Sequence, residues 1–62
     1  MNSFGNTIKT AREAKGLLLR QVAAALDIDQ AIISKFERSE RRPSKEQVEK
    51  FADFYELDKK AL

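Results

Sequence analysis

Residues 21–38 read Gln21-Val22-Ala23-Ala24-Ala25-Leu26-Asp27-Ile28-Asp29-Gln30-Ala31-Ile32-Ile33-Ser34-Lys35-Phe36-Glu37-Arg38. Good helix formers fill the first part, Asp27-Ile28-Asp29 interrupts it, and a second helical pattern follows. Val22, Ala23 and Leu26 share one stripe of a helix running from about Leu18 to Leu26. Ile33 and Phe36 are the expected buried pair of the next helix, about Gln30 to Arg38, with Asp29 as its N-cap. Two helices joined by so short a break suit a helix-turn-helix unit. Ile28 would plug the turn, and Ala23 is small where the helices cross, because a larger side chain would push them apart. An ordinary αα-hairpin of a small bundle has the same spacing, and periodicity alone leaves both open.

Working outward, Phe4, Ile8, Ala11 and Lys15 recur at helical spacing and stop at Gly16, a good residue for the position after a helix end. Downstream, Ser39 to Pro43 is a polar connection, and Pro43 disfavours helix at Arg42. Ser44 with Gln47 three residues later is a capping-box pattern that opens another helix, whose apolar stripe is Val48, Phe51, Ala52 and Tyr55. Leu57-Asp58 ends it, and Asp58 is placed to cap a last turn over Lys59–Leu62. Strand-like alternation is absent. The expected fold is all-α: a compact bundle of about five short helices, with the helix-turn-helix as helices two and three.

The chain has 62 residues, which is one small domain over 1–62. The ending on Ala61-Leu62, inside the last element, suits the N-terminal fragment of a longer chain as well as a natural terminus. There is neither cysteine nor histidine. A disulfide and a Cys-based zinc site are therefore ruled out, and the usual general base is missing. No Gly-rich phosphate loop is present either, so no catalytic set, metal or cofactor is expected. Glu46, Glu49 and Asp53 suit a solvated helix face. No apolar run approaches the roughly 18 residues of a membrane span. The formal charge of +2 is small. Residues 1–26 hold four positive charges and one negative, 27–43 four of each, and 44–62 four positive and five negative. A polyanion should meet the first half.

From Gly16 to Ser44 the chain resembles the lambda-repressor-like helix-turn-helix family, also called the XRE family. The resemblance rests on Gly16, Leu17, Ala23, Leu26, Ile28, Ile33, Ser34, Phe36, Glu37, Pro43 and Ser44, with Arg12 matching an arginine common in the family's first helix. It implies a double-stranded DNA partner and a recognition helix over residues 30–38 in the major groove. Four positions depart from the family pattern. Leu18 stands at a usual Ser or Thr cap, and Leu19 at a usual Gln that contacts phosphate. Asp27 and Ser39 stand at usual glycines. Leu18 and Leu19 are expected as exposed leucines beside the DNA face, where they staple the helix start or meet a protein partner.

With Ile33 set at 0° and about 100° per residue, Ala31, Ser34, Lys35 and Arg38 fall between about 100° and 200°, away from the core. Gln30 sits at the helix tip, where a long side chain reaches forward. Gln30 suits adenine, Lys35 suits guanine O6 and N7, Ala31 or Ile32 a thymine methyl, and Ser34 a base or phosphate. Arg38, Arg41 and Arg42 follow the helix and are candidate phosphate grips, with Arg20 another and Lys9 weaker. The plain alternative is a solvated helix face with Ile32 exposed. Arg12 and Glu37 are expected to form a structural ion pair, because Glu37 lies near the buried side and would be costly unpaired.

One domain offers one recognition helix, so a homodimer on a two-fold symmetric site is expected. Exposed apolar candidates for its surface are Phe54, Leu57 and Leu62. The implied function is a prokaryotic or phage transcriptional regulator in the cytoplasm, a repressor by resemblance. The competing reading is a protein-interaction module, such as an antitoxin-like or anti-repressor domain.

Overall fold

The computed structural model describes residues 3–58. Within them lie four helices: α1 (Phe4–Ala14), α2 (Leu19–Leu26), α3 (Gln30–Glu37) and α4 (Lys45–Tyr55). The all-α class holds, but the count of helices among the described residues is four rather than five. The expected last turn, Lys59–Leu62, lies outside the described residues, as does Leu62 as a dimer candidate.

Each helix start has a local cause. Ser3 accepts from the Asn6 N–H at 3.1 Å, and Asp29 from the Ala31 N–H at 2.8 Å. At α4 the capping box is complete: Ser44 Oγ accepts from the Gln47 N–H at 3.2 Å, and the Ser44 N–H donates to Gln47 Oε1 at 2.8 Å. At α2 only half of such a box can exist, since a leucine side chain has no acceptor. The Leu18 N–H still donates to Gln21 Oε1 at 2.7 Å, so Gln21 closes the end that Leu18 cannot.

All four helices end alike. A left-handed residue follows, directly after α2 and α4 and one residue later, past Lys15 and Arg38, after α1 and α3. The next N–H then reaches back to a carbonyl five residues earlier: Leu17 to Arg12, Ile28 to Ala23, Glu40 to Lys35 and Leu57 to Ala52. This is the Schellman pattern. Gly16 fills the left-handed position after α1 at φ 67°, where a glycine pays no Cβ penalty. Asp27, Ser39 and Glu56 fill the other three at φ 56°, 60° and 57°.

The core is Ile8, Val22, Leu26, Ile33, Phe36, Phe51, Ala52 and Tyr55. Phe4, Phe36 and Phe51 meet edge to face, with centroids 5.7–6.5 Å apart. Three apolar side chains sit deeper than expected. Leu19 packs against the core instead of standing exposed, because it lies three and seven residues before Val22 and Leu26 on one stripe. Phe54 and Leu57 are half-buried rather than free surface. Phe54 meets the Tyr55 ring at 5.0 Å, and Leu57 is turned back by its bond to Ala52. Leu18 remains the one large apolar side chain left exposed among the described residues, at 51%.

The seam between α1 and α3 is unusually close. Gly5 is buried there, and a Cβ on it would collide with the Phe36 carbonyl oxygen and lie 2.9 Å from that of Glu37. Ser39 Oγ donates to Ser3 Oγ at 3.2 Å across the same junction.

Candidate nucleic-acid interface

The outer face of α3 stands on a rigid base. Ile33 and Phe36 anchor the helix in the core, and α1 and α2 pack against it. Arg12 supplies the main polar tie. Its Nε donates to Glu37 Oε2 at 2.8 Å and its Nη2 to Oε1 at 3.1 Å, a bidentate pair. Its Nη1 donates to the Leu17 carbonyl at 2.9 Å. One guanidinium therefore clamps the α1–α2 connection to the end of α3. The pair is largely buried, with side chains 14% and 6% exposed. The hydrogen bonds to Glu37, set against the cost of burial, hold the Arg12 pKa above its ordinary value. The structure thus brings together the two residues expected as a structural pair.

Of the expected base-reading residues, Gln30, Ala31 and Lys35 are exposed on α3. Ser34 is half-buried on the same helix. Ile32 is not an exposed apolar residue: it is half-buried toward α4, in a recess shared with Ile28, Gln47 and Lys50. The exposed stretch of α3 is narrower than helical arithmetic gave, because Ser34, set outward by it, is half-buried.

The expected phosphate grips are all exposed. Arg41 and Arg42 lie on the connection between α3 and α4, lining a recess with Ser3, Phe4 and Ser39. Arg38 caps the end of α3, and its Nε pairs with Glu40 at 2.9 Å. That pair is open to solvent and weak. Arg20 sits in the first turn of α2, on a different element from the other three. Lys35 stands in the last turn of α3, so α3 carries its cations toward its C-terminal end and an acidic cap, Asp29, at its tip.

Sequence reasoning missed three structural supports. Gln21 as a cap partner was visible in its three-residue offset from Leu18, but the apolar Leu18 hid it. Lys50 donates to the Leu26 carbonyl at 3.4 Å, closing α2 from α4. Gly5 gave no local signal at all. Among the described residues no group of acidic side chains could hold a metal ion, and no helix is long and apolar enough to cross a membrane.

Comparison with known proteins agrees with this geometry. A family model described as a helix-turn-helix domain matches residues 3–62. No curated protein and no solved structure matches the chain.

Proposed function

Because the chain belongs to the helix-turn-helix domain family, we propose that it is a sequence-specific double-stranded DNA-binding domain of a transcriptional regulator. The observation that carries this reading is the outer face of α3. Gln30, Ala31 and Lys35 stand exposed on a helix whose other side is locked in the core. In the major groove Gln30 pairs with adenine, Lys35 donates to guanine, and Ala31 meets a thymine methyl. Ser34 reaches a base or phosphate from its half-buried place. Ile32, turned toward α4, contributes at most its edge. Arg20, Arg38, Arg41 and Arg42 hold phosphates and fix register without reading sequence.

The regulator acts as a homodimer on a two-fold symmetric operator, as a repressor in the cytoplasm of a bacterial or phage-infected cell. One α3 gives one half-site, and two give useful affinity. No catalytic step is involved.

The second reading, a protein-interaction module of antitoxin-like or anti-repressor kind, is favoured by one observation: Leu18 stands in water at 51% exposure. Leu19 gives it no support, since it packs inward.

The test is selection from a random duplex pool, followed by titration of the winner at several salt concentrations. A two-fold symmetric consensus is expected, with log affinity falling against log salt by about 0.9 per phosphate neutralised. Absence of any enriched duplex, at a concentration where the domain is folded, would sink the DNA reading and leave the protein-partner reading standing.

A further inference from the structure

We propose that Asp29 reads a base: its carboxylate, at the leading tip of α3, accepts from the N4 amino group of a cytosine in the operator. The inference rests on the DNA-binding reading above and adds a specificity residue to it.

Asp29 caps α3 with one oxygen. Oδ1 accepts from the Ala31 N–H at 2.8 Å, which fixes the carboxylate at the tip beside Gln30. That bond leaves Oδ2 available to an outside donor. The side chain is exposed, and neither the Arg12–Glu37 nor the Arg38–Glu40 ion pair includes it.

The surroundings steer this group toward bases rather than phosphates. Asp27, Glu46 and Lys50 line the same recess as Asp29, so the flank of the tip carries a net negative charge that disfavours the backbone. Lys50, the cation of that recess, donates to the Leu26 carbonyl, and the candidate phosphate grips lie elsewhere, at Lys35 and Arg38 near the other end of α3 and at Arg41 and Arg42 beyond it.

An ionised carboxylate only accepts hydrogen bonds. Guanine O6 and N7 and thymine O4 are acceptors and repel it. Adenine couples its N6 donor to the N7 acceptor, an arrangement that suits the carboxamide of Gln30. Cytosine offers N4 donors without an adjoining acceptor on the same base, and is the fit for Asp29.

The experiment starts from the duplex selected by the wild-type chain. One strand position occupied by cytosine is replaced by 2-pyrimidinone, which lacks the N4 amino group. Wild-type affinity should fall roughly tenfold at one such position. Asp29→Ser keeps a good N-cap and should bind the normal and substituted duplexes equally. Asp29→Asn also keeps the cap, and its carboxamide should shift that position toward adenine in a repeated selection. Thermal melting of both variants checks that α3 is intact. The inference is overturned if the wild type is indifferent to every such replacement, or if Asp29→Ser retains the full cytosine preference. If the folded wild type enriches no duplex, the DNA-binding reading itself fails, and the role of Asp29 with it.

Discussion

The two sides of α3 are built on opposite plans. Toward α1, backbone meets backbone at Gly5, Glu37 accepts two hydrogen bonds from Arg12, and Ser39 bonds Ser3. Toward solvent, Gln30, Ala31 and Lys35 stand exposed. The inner side fixes where the helix lies, while the outer side is the face proposed to meet DNA. A recognition surface needs both, because exposed side chains discriminate only when their backbone is held still. Changes on the inner side should therefore cost stability first, and changes on the outer side should cost discrimination without stability.

The largest effect is expected at Gly5. Gly5→Ala places a methyl against the Phe36 and Glu37 carbonyl oxygens, and backbone cannot swing aside as a side chain end can. The helices must separate and open the core around Phe36, at a cost of about 3 kcal/mol or more. For a domain this small, thermal melting should show little folded protein left. A melting temperature close to wild type would show that the seam is softer than its geometry indicates.

Glu37→Ala comes next. It leaves Arg12 buried without its carboxylate, and the Leu17 carbonyl alone cannot replace it. The expected loss is about 2–3 kcal/mol, below the range for fully buried pairs because Arg12 retains some access to water. Glu37→Gln keeps an acceptor and should lose less. Equal melting of wild type and Glu37→Ala would remove the pair from the account of what holds α3.

Lys35→Ala tests the other side. Its melting curve should match wild type, while discrimination at one base position should relax by about 1–3 kcal/mol in binding titrations. Equal loss on all sequences would instead make Lys35 a phosphate contact.

The difference between the two sides also sorts what could be seen in the sequence. Core positions obeyed helical spacing, so Val22, Leu26, Ile33, Phe36 and Phe51 were legible, and the Asp29 and Ser44 caps followed from residue type. Glu37 was legible because its angle put a carboxylate near the buried face. Gly5 was not, since the close approach it permits depends on where α1 meets α3, a tertiary fact without local signature. Leu19 was misplaced because it was weighed against a family pattern rather than against its own stripe with Val22 and Leu26. Ile32 was misplaced because it was put on the outer face without using the projection, which sets it only about 40° from Phe36 and so beside the core.

Tyr55 is the imperfection of the inner side. Its hydroxyl is buried, with the residue 4% exposed, and no described group bonds it. Burial pushes its pKa from 10 up to about 12, helped by the Glu37 carboxylate and opposed by Arg12. The raised value favours the fold while the phenol is neutral. That contribution is complete below pH 10 and is lost as pH rises through about 12. Tyr55→Phe removes an unsatisfied donor and should raise stability by up to about 1 kcal/mol. The gap over wild type should widen above pH 10. A destabilised Tyr55→Phe would mean that the hydroxyl has a bonding partner.

The smallest effect separates the helix ends. The connection after α1 carries Gly16 at the left-handed position, whereas α4 ends on Glu56 in the same conformation. A Cβ there crowds the following carbonyl at a cost of about 1 kcal/mol, which glycine avoids but partly returns through the greater entropy of its unfolded chain. Glu56→Gly should therefore gain about 0.5 kcal/mol and raise the melting temperature by a few degrees. Asp27→Gly should gain less, because aspartate tolerates this conformation better than glutamate does. The order matters more than either size. If Asp27→Gly gained as much as Glu56→Gly, the short acidic side chain at the turn would be doing nothing to ease its own backbone. The choice of aspartate over glycine there would then lack an explanation in stability, and the acidic flank it gives the tip of α3 would be the property left to account for it.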